Sequence, residues 1–250
     1  MRPIASLKET TVCVCASPGR LQSERLQHAD RLRRNVMADV AHELRTPLSV
    51  LQGRLEGLID GVYPRDDRQL GELLEETRVL SRLIEDLRTL ALSDAGALPL
   101  QTDATDLGQL VRDVIRSMTP EADHKSVSLT ASSSTETAVA DVDPARIREV
   151  LTNLLSNALR HSVGGSSVTV SVSQTSAGVT IAVRDAGGGM APEEVTRIFD
   201  RFYKGSASRG SGLGLSIAKS IITAHGGEIR ASSELGKGTT LEFTVPQRHS

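Results

Sequence analysis

The sequence predicts an α-helical hairpin, which forms a four-helix bundle as a dimer, followed by an α+β sandwich domain. Two long segments before residue 94 repeat apolar residues at helical spacing. After it, helices and strands are segregated rather than strictly alternating, a pattern typical of α+β folds. The 250 residues are enough for two small domains. The predicted division is an N-terminal segment of poor order, the hairpin, a linker and the sandwich, over residues 1–25, 26–93, 94–106 and 107–247.

The first predicted helix starts near Leu21, after a Pro18-Gly19 pair that should interrupt any earlier helix. The composition changes there to Arg, Gln, Glu, Leu and Ala, which favour helix formation. Pro47 should kink this helix, which we expect to end near Gly61. Apolar residues recur every four positions along one face, at Leu32, Val36, Val40 and Leu44.

The second predicted helix runs from about Asp66 to Ser93 and carries a seven-residue apolar repeat, which favours left-handed helix packing. One hairpin alone would leave much of this broad face in water, so we predict a homodimer. The alternative, in which the hairpin packs on its own C-terminal domain, stays open. The repeat comprises Leu70, Thr77, Ile84 and Ala91 in one set and Leu73, Leu80 and Leu87 in the other.

The second half of the chain is predicted to form helices and short strands. Asp143 and Pro144 provide the cap and the first turn of one helix. A Ser-Ala-Gly turn joins two alternating strands into a hairpin. Small, polar and basic residues at 205–211 are expected to be mobile. Helices are predicted over residues 107–124, 144–161, 192–200 and 213–225, and strands over 127–131, 167–173, 179–184, 228–232 and 239–245.

Composition argues against several classes of protein. The chain is 38% hydrophobic, so it can bury a core. Only 2% of its residues are aromatic, which argues against base-stacking nucleic-acid modules. The net charge of −2 gives no basic field for nucleic acid or acidic lipid, so no nucleic-acid partner is expected.

The chain shows no membrane or secretion signal. No run approaches the roughly 18 apolar residues that a membrane helix needs, and Thr11 to Ala16 is too short for a signal-peptide core. We expect a cytoplasmic protein with Cys13 and Cys15 as reduced thiols. A soluble protein, a separated half of a larger one and a product with a misassigned start all stay open.

The run His42-Glu43-Leu44-Arg45-Thr46-Pro47 is the most informative feature of the first helix. A histidine followed at once by a carboxylate can accept a phosphoryl group with its own general base. The same run begins a His-Glu-x-x-His zinc motif, but position 46 is Thr, so the second ligand is missing. An isolated helix histidine is usually a solvated surface residue.

Asn153 and Asn157 lie four residues apart, so they share one face of a predicted helix. Leucines between them bury the other face. The ordinary alternative is a pair of surface amides, which is less expected in the middle of an apolar helix.

Two glycine-rich turns follow the asparagines. Neither a P-loop nor a dinucleotide fingerprint fits them, because the required spacing and the preceding strand are absent. Asp185-Ala186-Gly187-Gly188-Gly189 follows a predicted strand, and taken alone it would be an ordinary turn. Gly210, Gly212 and Gly214 lead into a helix, whose N-terminal N–H groups can hold phosphates.

The order of these features resembles the catalytic core of bacterial sensor histidine kinases, over about residues 30–246. Their ATP-binding domain, of the Bergerat or GHKL type, is shared with gyrase-type topoisomerases, Hsp90-type chaperones and mismatch-repair ATPases. The resemblance implies that His42 accepts the phosphoryl group and that Glu43 takes or orients its proton. It implies that Thr46 places water when a response regulator is dephosphorylated.

The resemblance also implies a site for ATP and Mg²⁺. Asn157 would ligate the metal and Asn153 would support it or its waters. Asp185 would accept a hydrogen bond from adenine, although Ala186 stands where Asn is common in the family. The phenylalanines at 199 and 202 would pack under a lid at 205–211. The remaining residues implied at the nucleotide are Arg160, Gly187, Gly189, Lys204, Gly210, Gly212, Leu213, Gly214 and Thr239.

The implied activity is that of a dimeric protein-histidine kinase with a response regulator receiver domain as partner. A membrane-bound partner that supplies the sensor stays open. Three alternatives remain: a phosphatase-biased module, a dimerisation partner that binds ATP without phosphotransfer, and a chaperone- or topoisomerase-like ATPase. The histidine hairpin and the missing transducer domain argue against the last.

Overall fold

The computed structural model describes residues 18–133, 138–175, 178–205 and 210–247, with side chains from Met37 onward. Contacts divide the chain into two units, Met1–Arg45 and Thr46–Ser250, with the division inside the first helix. In the part of the chain described, no helix is both long and apolar enough to cross a bilayer.

The first helix, α1, spans Pro18–Ile59. It begins at Pro18 and includes Gly19, so it starts three residues before the predicted Leu21. Proline suits the first turn of a helix, where its missing N–H has no intrahelical acceptor. The helix continues through the buried Pro47 and ends close to the predicted position. Of the predicted N-terminal segment, residues 1–17 lie outside the described residues and residues 18–25 are helical.

The second helix, α2, spans Asp67–Asp94 and is capped by Asp66, whose carboxylate accepts from the Gln69 N–H at 2.9 Å. In the turn before it, the N–H groups of Val62 and Tyr63 donate to the Gly57 carbonyl at 2.8 and 3.0 Å. An ion pair between Arg54 and Glu72 joins the two helices. These contacts form the predicted hairpin within the second unit.

Several large apolar side chains of the hairpin are exposed in the single chain. Leu70 is 59% exposed and Leu74 is 51% exposed, although both belong to the apolar stripe. Towards its C-terminal end α2 buries Leu83 and Leu90 and contacts the sandwich domain. One part of the stripe therefore packs on the C-terminal domain, as in the alternative above, and another part is uncovered. Further exposed side chains are Leu48, Val50, Leu55, Ile59, Val62, Val79 and Ile84.

The C-terminal domain is an α+β sandwich, as predicted. A five-stranded sheet has the order β2-β4-β5-β7-β6, in which β2 and β4 pair in parallel and the other neighbours are antiparallel. A second sheet pairs β1 with β3. The elements are β1 Asp103–Asp106, α3 Leu107–His124, β2 Ser128–Ser133, β3 Val139–Val142, α4 Pro144–His161, β4 Ser167–Thr175, β5 Gly178–Asp185, α5 Pro192–Val195, α6 Gly214–Ala224, β6 Glu228–Glu234 and β7 Gly238–Val245.

The core lies between the five-stranded sheet and the helices α3, α4 and α6. Alternation along β5 and β7 puts Ile181 and Phe243 on the buried face of the sheet. The matching stripes of α4 and α6 bury Leu154 and Ile217 completely. This packing holds α4 and α6 on the sheet, and both helices carry predicted site residues.

The structure differs from the prediction at strands β1 and β3, which were not predicted, and at one helix. Strand β1 occupies Asp103–Asp106, inside the expected linker, because β3 pairs with it over all four residues. Such a short strand depends on its partner more than on its own propensity. The helix expected over residues 192–200 is only α5, which ends at Val195. Beyond it, the N–H of Asp200 bonds to the carbonyl of Arg197, a spacing of three residues that gives tight turns instead of an α-helix.

Candidate functional site

Helix α4 presents Asn153 and Asn157 at the edge of the core. Both are partly exposed, whereas Leu154 and Leu155 between them are buried. The helix starts where predicted, because the Asp143 carboxylate accepts from the N–H groups of Ala145 and Arg146 at 3.0 and 3.1 Å. The shared face of the two amides therefore follows from a capped start and an apolar stripe.

Asp185 ends strand β5 and is buried, with 4% of its surface exposed. Its Oδ1 atom accepts from the Gly187 N–H at 2.9 Å and from the Thr239 N–H at 3.2 Å. Burial raises the pKa of this carboxyl, and the two hydrogen bonds and the charge of His161 oppose that rise. The bond to Thr239 joins the Asp-x-Gly turn to the glycine-rich turn Gly236-Lys237-Gly238 that precedes Thr239.

The glycines of this turn lie against backbone. A Cβ on Gly187 would overlap the carbonyl oxygen of His161, and one on Gly189 would overlap that of Glu234. Gly189 also has a φ of 67°, which side chains disfavour. The N–H of Gly236 donates to the Gly188 carbonyl at 2.8 Å. The turn after β5 and the loop before β7 therefore support each other.

Replacing Gly238 with Ala is expected to destabilise the protein by about 2–4 kcal/mol. Gly238 has a φ of 90°, and its Cβ would overlap the carbonyl of Asp185, which is backbone and cannot give way. Gly236 is the matched control, because it also has a positive φ, 77°, but a Cβ added there would meet no atom within 4 Å. Gly236→Ala should cost only about 1 kcal/mol of backbone strain. Thermal unfolding of both variants measures the difference, and equal losses would contradict the steric argument.

Helix α6 begins at Gly214, directly beside α4. A Cβ on Gly214 would lie 3.4 Å from Oδ1 of Asn153. A Cβ on Gly210 would lie 2.5 Å from Nη1 of Arg160, so this glycine faces the last turn of α4. Leu213 is fully buried and anchors the start of α6. The structure thus brings Asn153, Arg160 and the glycines of residues 210–214 together.

The segment before these glycines also packs against them. Phe202 has a φ of 59°, and a Cβ on Gly212 would lie 2.7 Å from the carbonyl carbon of Phe202. Lys204 is exposed. Residues 206–209 of the predicted lid lie outside the described residues, so the place of the lid relative to Lys204 stays a prediction.

Sequence reasoning missed several residues that support the site. Ser233 accepts from the Met190 N–H at 2.9 Å and donates to the Gly238 carbonyl at 2.9 Å. Glu194 accepts from the Ala191 N–H at 3.0 Å. The Glu at this spacing is readable as part of a helix start. Ser233 is a serine in a strand, and its partner Met190 lies 43 residues away in the chain.

Two carboxylates, Asp86 of α2 and Glu149 of α4, are close enough for their charges to interact. Burial and the charge of Glu149 raise the pKa of Asp86 to about 6, against the opposing charge of Arg82. Glu149 also accepts from Arg146 Nη1 at 2.9 Å. Asp86 is therefore held in a setting that disfavours its ionised form.

Asp86→Asn is expected to stabilise the protein at pH 8 by on the order of 1 kcal/mol. The folded-state pKa of about 6 exceeds the ordinary value of 3.8, so folding becomes less favourable as the pH rises from about 4 to 6. The amide carries no charge and escapes this loss. Urea unfolding at pH 4 to 8 measures the stability gained by Asp86→Asn. The gain should be absent near pH 4 and should grow as the pH rises from about 4 to 6. A gain that does not change with pH would contradict this account.

The first unit contains His42, which is exposed on α1, and Glu43, which is partly exposed beside it. Thr46 belongs to the second unit and is exposed on the same helix, one turn along the sequence. The helical continuity of α1 through these residues agrees with the sequence pattern.

Two family models match the chain: His Kinase A (phospho-acceptor) domain over residues 32–96, and Histidine kinase-, DNA gyrase B-, and HSP90-like ATPase over residues 142–249. The solved structure of the histidine kinase AdeS from Acinetobacter baumannii is similar, with a TM-score of 0.72 and 32% identity over 83% of this chain and 98% of AdeS. The chain belongs to the histidine kinase family.

Other relatives agree with this assignment. Sensor protein SrrB from Staphylococcus aureus (strain N315) is 35% identical over 226 residues, 87% of this chain and 39% of SrrB. The solved structure of ShkA in complex with AMPPNP gives a TM-score of 0.65 at 27% identity, over 86% of this chain and 46% of ShkA. The histidine kinase described here thus spans 39% of the length of its curated relative and corresponds to the catalytic core of a sensor histidine kinase. The predicted family and fold class are confirmed.

Proposed function

We propose that this histidine kinase transfers the γ-phosphoryl group of ATP to His42 and then passes it to an aspartate of a response regulator. The observation that carries the proposal is the pair of backbone bonds that hold Oδ1 of the buried Asp185. Such a fixed carboxylate beside glycines with no side chain is suited to recognising a base. The ATPase family match over residues 142–249 and the AMPPNP complex of ShkA support ATP as the nucleotide.

Adenine recognition is assigned to Asp185. Its Oδ1 is occupied by the N–H groups of Gly187 and Thr239, so Oδ2 is the oxygen that would accept from the amino group of adenine. Gly187 and Gly189 let the turn pack tightly against the backbone of His161 and Glu234, which fixes the turn that carries Asp185. The orientation of the carboxylate is set before the nucleotide arrives, which reduces the entropy lost on binding.

The phosphates are assigned to the start of α6 and the neighbouring cations. N–H groups at the first turn of a helix have no intrahelical acceptor and favour anions, and Gly210, Gly212 and Gly214 let phosphate approach them. Arg160 lies next to Gly210, and Lys204 follows the phenylalanines at 199 and 202. With the Leu213 N–H, these residues would hold the triphosphate.

The residues also fit Mg²⁺. Amide oxygens are hard neutral ligands of the kind that Mg²⁺ accepts alongside phosphate oxygens and water. Asn157 would hold the ion and Asn153 would orient its waters, and the missing side chain at Gly214 leaves room beside Oδ1 of Asn153. When bound, the ion would offset negative charge on the phosphoryl oxygens during transfer.

The chemical step is assigned to His42 and Glu43. An imidazole nitrogen attacks the γ-phosphorus in line, so a P–N bond forms while the bond to the β,γ-bridging oxygen breaks and ADP leaves. Glu43 accepts the proton that the imidazole loses. Thr46 would hold the water molecule that hydrolyses the phosphoryl group of the response regulator.

The partners proposed are a second copy of this chain and a receiver domain. The exposed Leu70, Leu74 and Ile84 on α2 supply an apolar face that a second hairpin would cover, giving a four-helix bundle. The His Kinase A match over residues 32–96 supports the phosphotransfer role of this hairpin. A membrane-bound sensor as a further partner and a cytoplasmic location, where ATP and the receiver domain occur, stay proposals.

The test is incubation of the purified chain with γ-labelled ATP and Mg²⁺, followed by addition of a receiver domain. We expect label on the protein that is stable to base, labile to acid and chased onto the receiver domain. Asn157→Ala should abolish the label, because the phosphates lose their metal. Sustained ATP hydrolysis without protein label would instead indicate an ATPase of the chaperone or topoisomerase kind and would contradict the proposal.

A further inference from the structure

His225 caps α6 and reaches across to α4. Its Nδ1 lies 2.8 Å from the Ile221 carbonyl oxygen, and its Nε2 lies 3.0 Å from the Asp143 backbone nitrogen. A carbonyl can only accept and a backbone N–H can only donate, so Nδ1 carries the proton and Nε2 is an acceptor. The ring is therefore used in one neutral tautomer, with each nitrogen committed to a different helix.

The group that His225 holds is the residue that starts α4. Asp143 is buried, and its carboxylate accepts from the N–H groups of Gln101, Ala145 and Arg146 at 2.9, 3.0 and 3.1 Å. The bond from the Asp143 N–H to His225 fixes the N-terminal end of α4 against the C-terminal end of α6.

At the other end of their contact, helices α4 and α6 form part of the proposed phosphate site. Gly214, the first residue of α6, is beside Asn153 in the middle of α4. The intervals from Asp143 to Asn153 and from Gly214 to His225 each span about three turns, roughly 15 Å. The two helices therefore run antiparallel, with one link at His225 and one at Gly214, and a shift along their axes would move both.

We infer that His225 is a positioning residue for the Mg²⁺–triphosphate end of the site. By accepting from the Asp143 N–H, it sets the axial register that brings the start of α6 beside Asn153 and, one turn on, Asn157. The inference rests on the proposed function, because it assumes that these groups bind Mg²⁺ and phosphate. The adenine end is held separately, since Asp185 bonds to Gly187 and Thr239 on the sheet side.

The test compares His225→Asn with His225→Gln in the full chain. The Asn amide can donate to the Ile221 carbonyl, as Nδ1 does, but is too short to reach Asp143. The Gln amide oxygen reaches about as far as Nε2 and can accept from the Asp143 N–H. Both variants are neutral amides and each keeps one bond of the imidazole: Asn the bond to Ile221 within α6, and Gln the bond to Asp143 between the helices.

Calorimetry measures the affinity for AMPPNP with Mg²⁺ and again with EDTA. The ratio of the two affinities isolates the metal-dependent contribution. We expect His225→Asn to lower this ratio about tenfold, the equivalent of one lost hydrogen bond and a small misplacement. His225→Gln should keep it within about threefold of the unchanged chain. Amide exchange of Asp143 provides a second readout, with protection retained in the Gln variant and lost in the Asn variant.

Three results would overturn the inference. The first is that His225→Asn binds AMPPNP with Mg²⁺ as tightly as the unchanged chain. The second is that His225→Asn loses affinity equally with Mg²⁺ and with EDTA. The third is that His225→Gln lowers the ratio of the two affinities as much as His225→Asn does. The second result would indicate a general loss of stability, which does not discriminate between the two ends of the site. An unchanged chain that does not bind AMPPNP with Mg²⁺ would refute the proposed function itself, and this inference with it.

Discussion

Replacing His42 with Gln is expected to abolish incorporation of label from γ-labelled ATP while leaving ATP binding intact. An amide nitrogen is not nucleophilic, so the attacking group is lost altogether. His42 is exposed on α1, and exposed substitutions usually change stability by less than about 0.5 kcal/mol. The measurement is protein-bound label per chain, with nucleotide affinity from calorimetry on the same sample.

His124→Gln is the matched control for this change. His124 is also exposed on a helix, in the last turn of α3, and no site motif surrounds it. It should keep full labelling. Label that survives His42→Gln but disappears in His124→Gln would refute the assignment of the acceptor. Label in a mixture of His42→Gln and Asn157→Ala would further show that copies of the chain associate and that one phosphorylates the other.

Asp185→Asn is expected to weaken ATP binding by at least about 100-fold without destabilising the fold. The N–H groups of Gly187 and Thr239 both donate to Oδ1, so they orient the amide with its oxygen towards them. The amide NH₂ then takes the place of Oδ2 and faces the amino group of adenine. Two donors in contact cannot bond, and each loses its hydrogen bond to water.

The stability of Asp185→Asn should not fall, although its ATP affinity does. Burial raises the pKa of Asp185 above its ordinary value, so the ionised carboxylate makes folding less favourable at neutral pH. The neutral amide removes that penalty. At pH 7 the free energy of unfolding of Asp185→Asn should therefore equal or exceed that of the unchanged chain. The advantage should shrink as the pH falls through the raised pKa towards the ordinary one, where both side chains are neutral.

Asp141→Asn serves as the control, because Asp141 is exposed on β3. It should leave ATP affinity unchanged. Calorimetry measures the ATP affinity of both variants, and urea unfolding at several pH values measures the stability of Asp185→Asn. Normal ATP affinity in Asp185→Asn would mean that adenine is recognised elsewhere, and a loss of stability at pH 7 would mean that the charge of Asp185 supports the fold.

Much of this fold could be read from the sequence, because its signals are local. Asp106 and Asp143 are helix caps, and each lies directly before a helix whose apolar stripe follows the helical period. The alternation in β4 and β5 likewise needs only neighbouring residues to be recognised. For the same reason the asparagine pair and the glycine turns could be placed on a helix and after a strand before any distance was known.

Tertiary structure decided the contacts between residues far apart in the chain. Asp185 and Thr239 are joined because β5 and β7 are neighbours in the sheet. His225 had no surrounding motif, yet it bonds to Asp143 because α6 packs on α4. Strand β1 exists because β3 pairs with it. Periodicity and capping depend on interactions within a few residues, whereas these bonds depend on how burial of the apolar stripes arranges whole helices and strands.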